Sequence, residues 1–163
     1  MSLLIRIFSL LPLSVLYFLA DYLLYPLIRH VVRYRLKLVC KNIRLSFPEK
    51  TEAELNAIVN AFYHHFSDVL VEIIHGYRAS DEEMRERVVF ENIELLEDLA
   101  RKKHGVIAYL GHMCNWEWIA DVGNQFVDKS IVEHNVYRRQ KNPRADKAML
   151  QLRAKRGGEC VEK

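Results

Sequence analysis

Apolar side chains form a long run near the amino end of the chain. No charged residue occurs over residues 7–20, and the run extends to Ile28 if Asp21 is tolerated. About twenty apolar residues allow a helix to cross a bilayer, which predicts a membrane-associated N-terminal helix. Pro12 and Pro26 interrupt the run, so a tilted spanning helix and a helix embedded in the interface are both open.

Charges around this run predict its orientation. Only one basic residue, Arg6, precedes the run, whereas several follow it. Because the basic side of a membrane helix usually faces the cytoplasm, this difference predicts that most of the chain lies in the cytoplasm. These residues, which also suit anionic lipid head groups, are Arg29, Arg33, Arg35, Lys37, Lys41 and Arg44. A cleaved signal peptide is the alternative, although no small-x-small cleavage site follows the run. We predict a membrane anchor over residues 1–35 and a second domain over residues 36–163.

Beyond the anchor the pattern changes to that of an amphipathic helix. Thr51 with Glu54 forms a capping box, and Gly76 ends the predicted helix. Apolar residues recur between them every three or four positions, which predicts a stripe that packs on a sheet or against lipid. The stripe comprises Leu55, Ile58, Val59, Phe62, Phe66, Val69, Leu70 and Ile73.

Shorter helical and strand-like patterns alternate after this helix. Ser80 with Glu83 forms a second capping box, and Asn92 is placed to cap a further helix. Strands are predicted at residues 88–90, 106–110 and 130–137, and helices at residues 116–125 and 144–155. Alternation of this kind predicts an α/β fold with parallel strands.

The buried strand predicted at residues 106–110 leads to a histidine and a carboxylate, His112 and Glu117. Residues five apart in an unbroken helix point about 140° apart, so these side chains meet only if a turn separates them. If Asn115 caps a helix that begins near Trp116, Glu117 can fold back and hold one nitrogen of His112. The other nitrogen would then accept a proton from an attacking hydroxyl group.

The three cysteines indicate a reducing compartment. Cys40, Cys114 and Cys160 are odd in number, far apart and without C-x-x-C spacing. Cys114 lies two residues after His112, where we interpret it as a small filler of a tight turn in preference to a zinc ligand or a nucleophilic thiolate. We predict no metal site and no cofactor.

The segment GHMCNWE, from Gly111 to Glu117, resembles a block of a known superfamily. It has the H-x4-D/E form of lysophospholipid acyltransferases, in the G-H-x-x-N-W-E version of the bacterial lipid A late acyltransferases. Three further stretches resemble blocks of that family in the same order. They are residues 41–49, residues 91–96, and a second block with Val136, Tyr137, Arg138, Asn142, Pro143, Asp146, Arg153 and Gly157.

The resemblance implies a fold and an activity. The fold would be an N-terminal membrane-associated helix, then helices and a partial, mainly parallel sheet of the glycerolipid acyltransferase type. Members usually continue into more strands and an aspartate-bearing motif, so the chain looks like the N-terminal part of such a domain. The activity would be transfer of a fatty acyl group from an acyl carrier protein or coenzyme A thioester to a hydroxyl of a lipid A precursor, on the cytoplasmic side of a bacterial inner membrane.

The resemblance also implies roles for individual residues. His112 would be the base, Glu117 would orient it, and Arg153 would stabilise the oxyanion. The remaining substrate-binding residues would be Arg138, Asn115 and Trp116.

The final third of the chain is basic, although the net charge of the whole chain is only +3. The residues concerned are Arg138, Arg139, Lys141, Arg144, Lys147, Arg153, Lys155 and Arg156. No aromatic residue interleaves with them, which favours a lipid phosphate or an acidic carrier protein over a nucleic acid. A solvated helix face accounts for most of the lysines. A lysophospholipid or glycolipid acceptor, and a catalytically silent lipid-binding membrane protein, remain alternatives.

Overall fold

The computed structural model describes residues 3–102 and 105–163. The chain divides into two compact units, one formed by Leu10–Ile74 and the other by Met1–Ser9 with His75–Lys163. Most described residues in secondary structure are helical, and a small sheet lies in the second unit.

The apolar N-terminal run is divided into several helical pieces. Helix α1 spans Leu3–Phe8 and α2 spans Leu13–Leu19, beginning after Pro12. Two π-helical turns, Ala20–Leu24 and Leu27–Val31, follow on either side of Pro26, whose ring nitrogen cannot donate a helical hydrogen bond. No single helix among the described residues is long and apolar enough to span a bilayer. One pair, Leu13–Val31 and Leu36–Ser46, reaches that length and composition together but is bent by 91°.

The unit formed by Leu10–Ile74 is built around a long helix. After α3 (Leu36–Ser46), α4 spans Glu52–Gly76 and confirms the predicted end at Gly76. The predicted capping box is also present, since the Thr51 backbone N–H donates to the Glu54 carboxylate at 2.8 Å and the Glu54 N–H donates to the Thr51 hydroxyl at 3.4 Å. These bonds satisfy donors that the first helical turn leaves without partners.

The buried face of α4 differs from the predicted stripe. Leu55, Val59 and Val69 are buried as expected, but Phe62 is 41% exposed. A further buried line, which includes polar side chains, runs from Val59 through Tyr63, Ser67 and Val71 at every fourth position. The polar atoms of this line have acceptors, because the Tyr63 hydroxyl donates to the Tyr34 carbonyl and the Ser67 hydroxyl donates to the Tyr63 carbonyl. A hydrogen-bonded polar side chain can be buried at little cost, which an apolar pattern does not show.

The second unit contains the remaining helices. Helix α5 (Asp81–Arg87) begins at Ser80, whose hydroxyl accepts the Glu83 N–H as predicted, and α6 (Ile93–Arg101) follows. A 3₁₀-helix, Trp116–Asp121, leads directly into α7 (Val122–Gln125). Asn142 caps α8 (Pro143–Lys155) by accepting two backbone N–H groups. The core side chains here are Ala79, Met84, Ala120, Phe126 and Leu152.

Two parallel strands flank α8 along the chain. Strand β1 (His134–Tyr137) pairs with β2 (Glu159–Glu162), with His134 opposite Glu159. A parallel pair needs a crossover connection, which α8 supplies. This β–α–β unit is consistent with the predicted α/β class.

Two predicted strands are wrong. Residues 88–90 and 106–110 form no strand, and the latter are not buried, since Ile107 is 93% and Tyr109 98% exposed. An apolar segment becomes a strand only where a neighbouring strand pairs its backbone groups. In the part of the chain that the structure describes, the only such pairing is between β1 and β2.

Candidate active site

A turn separates His112 from Glu117, as their spacing requires. The Met113 N–H donates to the Gly111 carbonyl at 2.9 Å, and Cys114 adopts a left-handed conformation with φ 48°. The 3₁₀-helix then begins at Trp116, the predicted start. Asn115 occupies the N-cap position, but its side chain makes no capping hydrogen bond. The backbone therefore changes direction between the two predicted catalytic residues.

Four of the predicted site residues line one cavity of about 200 Å³. They are His112, Trp116, Glu117 and Arg153. The first three come from the turn and the start of the 3₁₀-helix, and Arg153 comes from the last turns of α8. Arg138 and Asn115 are not among the residues that line this cavity.

Glu117 and Arg153 form the strongest polar contact of this cavity. The Arg153 Nε and Nη2 groups donate to the two Glu117 carboxylate oxygens at 2.9 and 2.8 Å. The side chains are only 6% (Glu117) and 19% (Arg153) exposed. Hydrogen bonding to Glu117 raises the pKa of the Arg153 guanidinium, against the lowering effect of burial. This two-point contact fixes the guanidinium and the carboxylate in one plane.

Trp116 completes the surroundings of the Glu117 carboxylate. Its indole Nε1 donates to Glu117 Oε1 at 3.0 Å, and its ring centroid lies 5.0 Å from that of His112 at an interplanar angle of 57°. Among the described residues, no hydrogen bond joins His112 to Glu117, whose carboxylate is bound by Arg153 and Trp116. The exposed His112 therefore contacts the tryptophan rather than the carboxylate, and the orienting role of Glu117 stays a prediction.

The sheet contributes cavity residues that the sequence interpretation did not include. Asn135 and Val136 of β1 line the cavity opposite the 3₁₀-helix residues Ile119 and Ala120. The predicted strand at residues 130–137 contained both β1 positions, but nothing in the sequence indicated which strand residues reach the site. These two β1 residues share the cavity with residues of the H-x4-E turn.

Beside Asn135 lies a carboxyl group that forms no ion pair with any other described residue. Glu133 Oε2 accepts the Gly123 N–H at 3.1 Å. Burial raises the pKa of the Glu133 carboxyl, and the neighbouring Asn135 amide and the Gly123 N–H offset part of that shift. A Cβ at Gly158 would overlap the Asn135 amide nitrogen, so this glycine leaves the space that the Asn135 side chain occupies.

One residue of the basic final third is not on the surface. Arg156 is 2% exposed and lies 3.6 Å from the fully buried Asp121. The sequence analysis counted Arg156 among the basic residues of this region without placing it in the interior, where a buried carboxylate and backbone carbonyls surround its guanidinium. Within residues 3–102 and 105–163, no cluster of His, Cys, Asp and Glu side chains is suited to hold a metal ion.

The cavity therefore combines an exposed imidazole, a buried carboxylate–guanidinium pair and an amide side chain. An imidazole beside fixed charges is suited to proton transfer, and a guanidinium is suited to an anionic or developing negative charge. Cys114, which is exposed on the turn, is not among the residues that line this cavity.

Comparison with known proteins gives a family for the whole chain. Residues 2–163 match the family described as bacterial lipid A biosynthesis acyltransferase. No curated protein and no solved structure matches the chain. Because the matched region covers nearly all 163 residues, the chain belongs to the bacterial lipid A biosynthesis acyltransferase family.

Proposed function

We propose that this chain transfers a fatty acyl group from an acyl carrier protein thioester, or from coenzyme A, to a hydroxyl of a lipid A precursor. Family membership gives a lipid A acyltransferase-type function. The observation that carries the finer proposal is the cavity shared by His112, Glu117, Arg153 and Trp116. It collects a proton acceptor and charged groups in one place, as direct acyl transfer requires.

His112 is the proposed general base. It removes the proton from the acceptor hydroxyl while that oxygen attacks the thioester carbonyl carbon. The tetrahedral intermediate then collapses, the carbon–sulfur bond breaks, and the departing thiolate takes the proton from the imidazolium. The acyl group moves directly between the two substrates, so no acyl-enzyme forms.

Arg153 is the proposed partner of the developing oxyanion, and Glu117 holds it in place. The bidentate contact fixes the guanidinium plane before substrate arrives, so little reorganisation accompanies the reaction. The Glu117 carboxylate also offsets the positive charge that develops on His112. We propose that this balance acts across the cavity in the present arrangement, and that a direct hydrogen bond forms when substrate displaces the Trp116 contact.

The remaining predicted residues have secondary roles in this proposal. Trp116 walls the cavity against the acyl chain, and Asn115 shapes the turn that precedes it. Arg138 follows β1 on an exposed position, where it would contact the phosphate groups of the acceptor or the acidic carrier protein. No cofactor takes part.

Membrane association is part of the same proposal. The N-terminal pieces expose large apolar side chains, including Phe18, Tyr22 and Leu23, and the basic residues of positions 29–44 follow directly. Apolar surface beside basic residues favours an anionic bilayer. We place residues 1–35 as the anchor and residues 36–163 as the acyltransferase part, on the cytoplasmic side of the inner membrane.

An acyl-transfer assay tests the proposal. The full chain is reconstituted in phospholipid vesicles and supplied with labelled acyl carrier protein thioester or acyl-coenzyme A, and with a lipid A precursor or a lysophospholipid. We expect label on the lipid A precursor, and loss of that label in His112→Ala. Label on the lysophospholipid alone would refute the acceptor, and lipid binding without transfer would refute the activity.

His134→Ala is the matched control for His112→Ala. His134 is likewise exposed, but it lies on β1 opposite Glu159, which it contacts at 3.2 Å, and it does not line the cavity. We expect this variant to transfer label at the wild-type rate. Equal losses in the two variants would refute the role of His112.

A further inference from the structure

Two ion pairs join the same two helical segments. The 3₁₀-helix carries the carboxylates of Glu117 and Asp121, and the end of α8 carries the guanidinium groups of Arg153 and Arg156. Glu117 pairs with Arg153 at 2.8 Å, and Asp121 lies 3.6 Å from Arg156 Nη1. The first pair faces the cavity, whereas neither member of the second pair lines it.

The second pair is sealed in the interior. Asp121 is 0% and Arg156 2% exposed. Arg156 Nη2 also donates to the backbone carbonyls of Gly76 and Ala79, at 2.5 and 3.3 Å, and its Nη1 lies 3.7 Å from Asp81. Burial lowers the pKa of the Arg156 guanidinium, and the neighbouring carboxylates oppose this shift.

Asp121 is held from its own side as well. The Asn124 and Gln125 side-chain amides donate to its two oxygens at 3.1 and 3.3 Å. The carboxylate therefore has fixed partners on α7, which follows directly from the 3₁₀-helix that carries Glu117, and one partner on the segment that carries Arg153. Hydrogen bonds from the two amides and the charge of Arg156 together fix the position of the Asp121 carboxylate.

The Asp121–Arg156 pair is not explained by a gain in folding free energy. The attraction between two buried charges roughly offsets the loss of their hydration, and apolar residues of similar size often serve as well for stability. A buried pair does restrict how the two helical segments that carry it are placed, because a shift of one segment along the other leaves a buried charge without its partner. Arg153 and Arg156 lie nearly one helical turn apart, so a slip of α8 at Arg156 also moves Arg153.

We propose that Asp121 and Arg156 are positioning residues that hold Arg153 in its two-point contact with Glu117. They fix the register of α8 against the 3₁₀-helix, and thereby the direction in which the Arg153 guanidinium faces the cavity. The catalytic consequence rests on the proposed function, whereas the effect on the Arg153 contact does not.

Nuclear magnetic resonance of the arginine Nε–H groups tests the positioning role without an activity assay. The Arg153 signal is assigned by its loss in Arg153→Lys. In Asp121→Asn, which keeps the side-chain shape, we expect the chain to stay folded while the Arg153 Nε–H shifts and exchanges with water about tenfold faster or more. In the transfer assay we expect kcat to fall roughly 10- to 100-fold with KM within about twofold of the wild type.

Lys155→Met is the matched control. Lys155 lies beside Arg156 and donates to the Tyr77 and Ala79 carbonyls at 2.9 Å, so its loss also weakens the tie between α8 and that segment. It makes no ion pair with Asp121 among the described residues. We expect the Arg153 signal to be unchanged in this variant, and Arg156→Lys to retain more kcat than Arg156→Met.

An Arg153 signal that is unchanged in Asp121→Asn would overturn the proposal. A signal that moves equally in Lys155→Met would also overturn it, because the pair would then act only through general stability. If the wild type transfers no acyl group, the proposed function fails, and the Nε–H measurement still decides whether the buried pair positions Arg153.

Discussion

Two arginine–glutamate pairs of nearly equal geometry occur in very different surroundings. Arg153 donates to Glu117 at 2.9 and 2.8 Å, and Arg44 donates to Glu52 at 3.2 and 2.8 Å. The side chains of the first pair are 19% and 6% exposed, whereas those of the second are 56% and 67% exposed. Water and salt screen the exposed pair but hardly reach the buried one. Burial, rather than bond length, decides which pair the protein depends on.

The largest expected effect comes from breaking the buried pair. Arg153→Ala leaves the Glu117 carboxylate buried with only the Trp116 indole to bind it, which should cost about 3–5 kcal/mol of unfolding free energy. Urea unfolding measures this cost. In Arg153→Met with Glu117→Leu most of the loss should be regained, because no buried charge is left alone. A double variant that is as unstable as Arg153→Ala would contradict this explanation.

A smaller effect is expected from the helix cap beside the exposed pair. Thr51→Ala removes the hydroxyl that accepts the Glu54 N–H and donates to the Glu54 carboxylate, which should cost about 1 kcal/mol. Thr51→Ser keeps the hydroxyl and serves as the control. Thermal unfolding compares the two variants. Equal stability of Thr51→Ala and the wild type would show that the capping box does not stabilise α4.

Glu133 adds a partly buried carboxyl that forms no ion pair with another residue in the part of the chain that the structure describes. Its pKa is raised by burial, so the folded state holds the proton more tightly than the unfolded state. Stability should therefore fall as the pH rises from the ordinary value of 4.5 through the raised folded value. Glu133→Gln has no carboxyl to ionise, so it does not show this loss. The difference in melting temperature between the variant and the wild type should therefore grow across this pH interval and stay constant above it. A difference that does not change with pH would contradict the assignment.

The smallest effect is expected at the exposed pair itself. Arg44→Ala should leave the unfolding free energy within experimental error, because both partners return to water when the contact is lost. The measurement is the same urea titration as for Arg153→Ala, repeated at low and high salt. A loss as large as that of Arg153→Ala would show that exposure does not separate the two pairs.

Local sequence signals predicted much of the helical structure. The capping box at Thr51, the Ser80 cap, the end at Gly76 and the helix after Pro143 all depend on contacts within a few residues. At Ser80 only half of the predicted box forms, because the Glu83 carboxylate contacts His75 and Arg87 instead. The turn between His112 and Glu117 belongs to the same class, because side chains five residues apart can share one site only if a turn separates them. These features need no knowledge of the rest of the chain.

Features that depend on distant partners were not predictable in this way. Residues 106–110 have the composition of a strand but no pairing partner among the described residues, and Tyr63 is buried because a backbone carbonyl at Tyr34 receives its hydroxyl. In the sequence Arg156 is one of several neighbouring basic residues, and its burial depends on Asp121, which lies 35 residues earlier in the chain. The family resemblance grouped His112, Glu117 and Arg153, whereas the contact between Glu117 and Arg153 required the fold.

The central claim is that His112 and the Glu117–Arg153 pair act as one catalytic unit. A double-mutant cycle on kcat/KM for acyl transfer tests it, with His112→Ala, Glu117→Gln and the double variant. We predict a loss of about 100-fold or more for His112→Ala and no further loss in the double variant. Losses that multiply in the double variant would contradict the claim, because independent groups give independent costs.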